Sequence, residues 1–172
     1  MLKISTINLL VSYVSFFGAL KGCDYFLIAA PVGTLAFASV HEAGHVTVAK
    51  HCGYISVSAR VFLKEKYGVG TFWKGQTTLG KGHTRNGEMA LIKLGGRFTE
   101  HYLDRSNRIY QPNFIDVIGD RSVISQSDEI TRMDLGSDSL LEAQRRTFFI
   151  LRGRLVELDQ IYKTLLGRKG YP

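Results

Sequence analysis

Apolar positions along this chain change period several times, and each change marks an element. From Ile4 to Leu20 no residue is charged. Ile7, Leu10, Val14 and Phe17 recur at helical spacing, with Asn8, Ser12, Ser15 and Ala19 on the other side. Lys21, Gly22 and Asp24 interrupt this pattern, so residues 1–24 predict an N-terminal amphipathic helix or a membrane-associated segment. A second uncharged stretch runs from Tyr25 to Val40. Neither stretch reaches the roughly 18 consecutive apolar residues of a spanning helix, so a packed part of the domain is expected before an anchor. A cleaved signal is a third reading, with Lys3 as a thin positive region.

Val40 to Lys50 continues as a helix that Gly53 can end. Ile55 to Leu63 alternates with β-branched residues, and Tyr67 to Trp73 follows a charged turn, which predicts a small β-hairpin. Residues 74–87 mix Gly with Lys, Thr, His and Asn and predict a mobile loop. Helical spacing returns from Gly87 to Leu103 through Ala90, Leu91, Leu94 and Phe98. Residues 104–127 read as irregular. A final helical region over 128–166 carries Leu140, Leu141, Phe148, Leu151, Leu155, Leu158, Ile161 and Leu165 as its apolar stripe. The expected fold class is therefore mainly α with a small β-hairpin, in one domain over 25–172.

Composition narrows the class. With 172 residues, 45% apolar and 22% charged, the chain is an ordinary globular one and not a disordered, collagen-like or coiled-coil sequence. Cys23 and Cys52 are too few for a disulfide scaffold, though they permit one bridge. Lys and Arg number 22 against 15 acidic residues, a net charge of +7 that raises nucleic acid, an acidic membrane surface and simple solubility. Arg145, Arg146, Arg152 and Arg154 spread around a helix instead of forming one stripe. No recognised nucleic-acid reader is present, and nucleic acid is not expected as a partner.

His41-Glu42-Ala43-Gly44-His45 carries the chemistry. Four helical residues subtend about 400°, so both imidazoles leave nearly the same face one turn apart. That spacing suits two nitrogens about 2.0–2.1 Å from one zinc ion. Glu42 sits slightly round the helix, placed to take a proton from a water whose pKa zinc lowers towards about 7, and to pass it to the leaving amine. A third protein ligand is required. His51 matches the metzincin spacing, but that pattern has Gly where this chain has Val48, so a continuing helix turns His51 away. It is then expected as a cation near the helix C-terminus. Glu100 would be a gluzincin-like ligand and Asp128 an aspartate ligand; spacing leaves both open. His83 and His101 read as surface residues. Gly95-Gly96 within a helix predicts close approach to the zinc helix. Phe72 and Trp73 read either as core or as the edge of a substrate groove.

Val40 to Val46 resembles the zinc motif of the FtsH-type protease domain, the peptidase half of ATP-dependent membrane proteases. Ala59-Arg60-Val61-Phe62-Leu63 and Gly68-Val69-Gly70-Thr71 resemble that family's strand and turn, and Ile92 to Glu100, with Leu94-Gly95-Gly96-Arg97, its glycine-containing helix. Ser127 to Arg132 resembles its asparagine-aspartate segment, with Ser127 in place of the asparagine and Glu129 crowding the aspartate. The run from Ile150 to Leu166 is similar to its closing helix.

The resemblance, over residues 35–166, implies a zincin-like helix packed in a helical bundle. It implies zinc on His41, His45 and Asp128, Glu42 as general base, and Glu100 as a supporting residue; Arg97 reads either as pairing with a carboxylate near the site or as a solvated arginine. A zinc endopeptidase acting on unfolded proteins or peptides follows from it, cytoplasmic or membrane-associated through the N-terminal segment. No glycine-rich nucleotide loop occurs in the chain, so any unfolding power is expected from a separate ATPase, with a homo-oligomer as a further expectation. Two alternatives stand beside it: a site-2-type intramembrane metalloprotease, whose motif pattern His41 to Gly53 also fits, and a non-catalytic zinc-binding adaptor or degenerate protease.

Overall fold

A computed structural model describes residues 33–66, 70–80, 87–119 and 128–172. The expected segment 1–24, His83 and Ser127 lie outside these residues, as does Cys23. Among the described residues no helix is long and apolar enough to cross a membrane.

Helix α1, Leu35–His51, is the axis of the fold. The Thr34 hydroxyl accepts from the Phe37 N–H at 3.2 Å and starts it, several residues before the motif. Its end is a left-handed glycine cap: Gly53 has φ +90°, its N–H donates to Lys50 O, and the Tyr54 N–H donates to Ala49 O. Ala36, Ala38–Val40 and Glu42–Ala49 are all buried, so α1 is enclosed on nearly every side.

Strands β1, Val57–Lys66, and β2, Gly70–Leu79, pair antiparallel from Val57↔Leu79 to Lys66↔Gly70. The two-residue period buries Val57, Ala59 and Val61 against the helices and leaves Arg60 and Lys64 exposed. The expected loop at 74–87 is wrong over its first half, because β2 runs through to Leu79. Glycine at 75 weakens strand propensity, but ladder bonds to β1 and the close approach of α1 decide the matter.

Helix α2, Glu88–Glu100, passes through both Gly95 and Gly96. The stretch expected to be irregular contains a short helix, α3, Phe114–Gly119. The helical region expected over 128–166 is three pieces: α4, Arg132–Leu135; α5, Leu140–Gly153; and α6, Leu155–Arg168. Arg154, at φ −126° and ψ 26°, breaks the last two apart. Leu140 and Leu141, expected in the apolar stripe, are 47% and 52% exposed, because that turn of α5 lies beyond the helices it packs on. Strand β3, Gly170–Tyr171, adds to the free side of β1 and makes a three-stranded sheet in the order β2-β1-β3. The architecture is mostly helical with this small antiparallel sheet. Val40, Val46, Leu91, Phe98, Tyr102, Leu151, Leu158 and Leu165 form the shared core.

Two glycine contacts set the distance between α1 and α2. A methyl group on Gly44 would overlap the Gly95 carbonyl and the Thr99 hydroxyl, and one on Gly95 would lie 2.8 Å from Gly44 O. The Thr99 hydroxyl donates to Val40 O at 2.9 Å across the same seam. Each mid-helix glycine costs about 1 kcal/mol of helix propensity relative to alanine, and close backbone packing offsets it.

Candidate metal centre

α1 presents His41 and His45 one turn apart, with their Nε2 atoms 3.0 Å from each other. Each ring is turned by a bond on its other nitrogen. His45 Nδ1 donates to the Ile92 carbonyl of α2 at 2.7 Å, and His41 Nδ1 meets Glu100 Oε1, also at 2.7 Å. A carbonyl and a carboxylate can only accept, so both Nδ1 atoms carry hydrogen and both Nε2 lone pairs face the same point.

Asp128 completes that point. Its Oδ2 lies 3.2 Å from His41 Nε2 and its Oδ1 3.2 Å from His45 Nε2, and the residue is 6% exposed. Three acceptor groups therefore converge with no donor of their own, and a cation, a proton or a metal, must sit among them. Bonds of about 2.0–2.1 Å at tetrahedral angles place ligand atoms a little over 3 Å apart, which is the separation seen here. The residues fit a zinc ion.

The electrostatics follow. Burial opposes charge on His41, but bonds to Asp128 and Glu100 and the fields of Glu100 and Glu42 outweigh it and push its pKa up to about 10. Burial likewise opposes ionisation of Asp128, yet the two imidazoles hold its carboxyl well below the usual carboxylate range.

Glu42 is a third carboxylate near the rings: the ligand atoms of His41, Glu42 and His45 lie within 4.8 Å of one another. Asp128 is nearer, with an oxygen 3.2 Å from each ring. Glu42 turns instead to the sheet, where Thr77 of β2 donates to its Oε2 at 2.5 Å. Gly75 leaves the room for this, because a methyl there would overlap the Glu42 side chain. Gly96 does the same for the imidazoles: a methyl would come within 2.5–2.7 Å of His45 Nε2 and Cε1 and His41 Nε2.

Of the candidates read from sequence, the fold brings together His41, Glu42, His45, Asp128 and Glu100. Glu100 stands on the Nδ1 side of His41, where it orients the ring and cannot share the ion with Nε2. Arg97 lies in the last turn of α2, one residue beyond Gly96. His51 is excluded from the cluster, and its expected role as a helix-terminal cation is corrected too. Burial and the nearby Arg154 and Arg146 lower its pKa, and its Nδ1 accepts a hydrogen bond from Arg154 Nε at 3.2 Å. Glu129 is exposed.

Four contributors escaped sequence reasoning: the Ile92 carbonyl, Thr77, Gly75 and Lys93. Lys93 of α2 donates to the Glu129 carbonyl at 3.0 Å and to Asp134 Oδ2 at 2.8 Å, tying the segment that carries Asp128 to α2. A glycine inside an alternating strand pattern was the available signal for Gly75; a backbone carbonyl leaves none. Comparison with models of known protein families, with curated proteins and with solved structures returns no match.

Proposed function

We propose that this chain is a zinc-dependent endopeptidase with a zincin-like centre, of the kind the FtsH-type resemblance implies. The observation that carries the reading is the convergence of His41 Nε2, His45 Nε2 and Asp128 at 3.0–3.2 Å with both Nδ1 atoms already engaged. His41, His45 and Asp128 would hold the ion. When bound, zinc supplies Lewis-acid polarisation of a peptide carbonyl and acidifies water. Glu42 accepts the proton of the attacking water and returns it to the leaving amine, with Thr77 holding one carboxylate oxygen and leaving the other for that exchange. Glu100 and the Ile92 carbonyl keep the imidazoles in the ligating tautomer. The substrates are unfolded or short polypeptides.

A zinc-binding adaptor without turnover is the second reading, favoured by the burial of Glu42, which is 4% exposed and already bonded to Thr77. Zinc content and casein cleavage by the wild type and by Glu42→Gln separate the two. A peptidase binds one zinc per chain and loses cleavage in the variant. Zinc binding with no Glu42-dependent cleavage favours the adaptor, and no zinc binding at neutral pH overturns both.

A further inference from the structure

The sheet has two faces with different chemistry. One face turns Val57, Ala59, Val61, Gly75 and Thr77 towards α1 and the metal centre. On the other, the register brings together Arg60, Phe62 and Lys64 of β1 with Phe72, Lys74 and Gln76 of β2. Arg60, Lys64, Lys74 and Gln76 are exposed and the two Phe half-buried. Three cations and no carboxylate occupy these positions, all within about 14 Å along the strand at about 3.4 Å per residue.

We propose that this outer face docks on an anionic lipid bilayer. The charge complementarity is joined by two aromatic side chains on the same face, Phe62 opposite Lys74 and Phe72 opposite Lys64. Aromatic rings with lysines beside them are the composition of a membrane interface, where long cationic stems lie along apolar surface with their heads in the headgroup layer. Gly33, within the uncharged stretch Tyr25–Val40, joins this corner: its carbonyl accepts from the Trp73 N–H at 2.9 Å.

A single-stranded nucleic acid would ask for something else. It needs open ring faces on which bases stack. Here the Arg60 guanidinium stands over the Phe62 ring at 5.4 Å, so a cation already occupies that ring's face. Docked in this way, the protein would keep the metal centre on the far side of the sheet from the lipid, open to polypeptides near the surface. The inference does not depend on the peptidase reading.

Each Lys or Arg near an anionic leaflet strengthens partitioning about fivefold, so the three together are expected to contribute about a hundredfold. The full chain is sedimented with vesicles of phosphatidylcholine alone and of phosphatidylcholine with phosphatidylserine, at low and physiological salt. Expected is binding to the phosphatidylserine vesicles only, weakened by salt, and lost about a hundredfold in the triple variant Arg60→Gln, Lys64→Gln, Lys74→Gln. The double variant Lys64→Gln, Lys74→Gln, which leaves the Arg60–Gln76 bonds intact, is expected to lose about 25-fold. A control removing the same charge elsewhere, Arg105→Gln, Arg132→Gln, Arg152→Gln, is expected to bind as the wild type, with all variants checked for fold by circular dichroism. Equal binding to neutral vesicles, equal loss in the control, or a triple variant that loses oligonucleotide binding while keeping vesicle binding would overturn the proposal.

Discussion

His45 and His51 stand on the same helix, and their surroundings make different molecules of them. At His45 the backbone of α2 comes close enough for the Ile92 carbonyl to take the Nδ1 hydrogen, and the free lone pair is aimed at Asp128. At His51 the helix has emerged from the bundle, and an arginine donates into the same Nδ1 position. The first arrangement readies a nitrogen for a metal, whereas the second uses up a lone pair and surrounds the ring with positive charge. A histidine becomes a ligand through what holds its other nitrogen.

The largest expected effect comes from breaking the inner end. His45→Ala and His41→Ala each remove one of the three proposed ligands and should abolish stoichiometric zinc binding at neutral pH, measured by metal analysis after gel filtration. Glu42→Gln comes next. It should leave zinc content unchanged and reduce cleavage by about 10²–10⁴-fold, the usual worth of a positioned proton acceptor. Glu100→Gln weakens the orientation of His41 without removing a ligand, so zinc affinity should fall about 10–100-fold in a competition titration with a chelator. An unchanged affinity would show that Glu100 has no part in orienting the ring.

The outer end should respond weakly. Glu157 pairs with Lys50 at 2.7 Å and Arg154 at 2.6 Å beside His51. Burial opposes its ionisation, but the two cations win and hold its pKa below the ordinary 4.5. A lowered carboxyl pKa stabilises the fold above its unfolded value, and that stability is lost as pH falls through the folded value. Glu157→Gln should therefore flatten the acid limb of thermal unfolding between pH 5 and 3 by less than about 1 kcal/mol, as expected of partly exposed ion pairs. Smallest of all, His51→Ala should leave zinc binding unaltered; a loss there would erase the distinction between the two ends of α1.

Much of the site was legible because it is local. Helical geometry alone puts His41 and His45 on one face, and a capping glycine at 53 marks where that face ends. The glycine pair at 95–96 signalled close packing, since nothing else makes two poor helix formers worth keeping in the middle of an apolar helix. The extent of β2 was not legible: a glycine among polar residues reads as a loop until the partner strand and the Glu42 side chain are both in view. The break at Arg154 was hidden for a similar reason. Leu151, Leu155 and Leu158 keep a helical rhythm across it, and only the packing of α5 and α6 on α1 separates them.

What the residues alone determined, then, was a helix carrying two imidazoles and a carboxylate, because those lie within five consecutive positions and depend only on the pitch of the helix. The third corner was a choice among His51, Glu100 and Asp128. Spacing left Glu100 and Asp128 open, Val48 spoke against His51 and only the resemblance favoured Asp128; the geometry came from the tertiary structure. It placed Asp128 against both Nε2 atoms, turned Glu100 to Nδ1 of His41, and carried His51 out of the bundle. Coordination is satisfied in space, and contacts between residues 41 and 128 depend on how α2 and its Lys93 hold the chain in between, which no local pattern encodes.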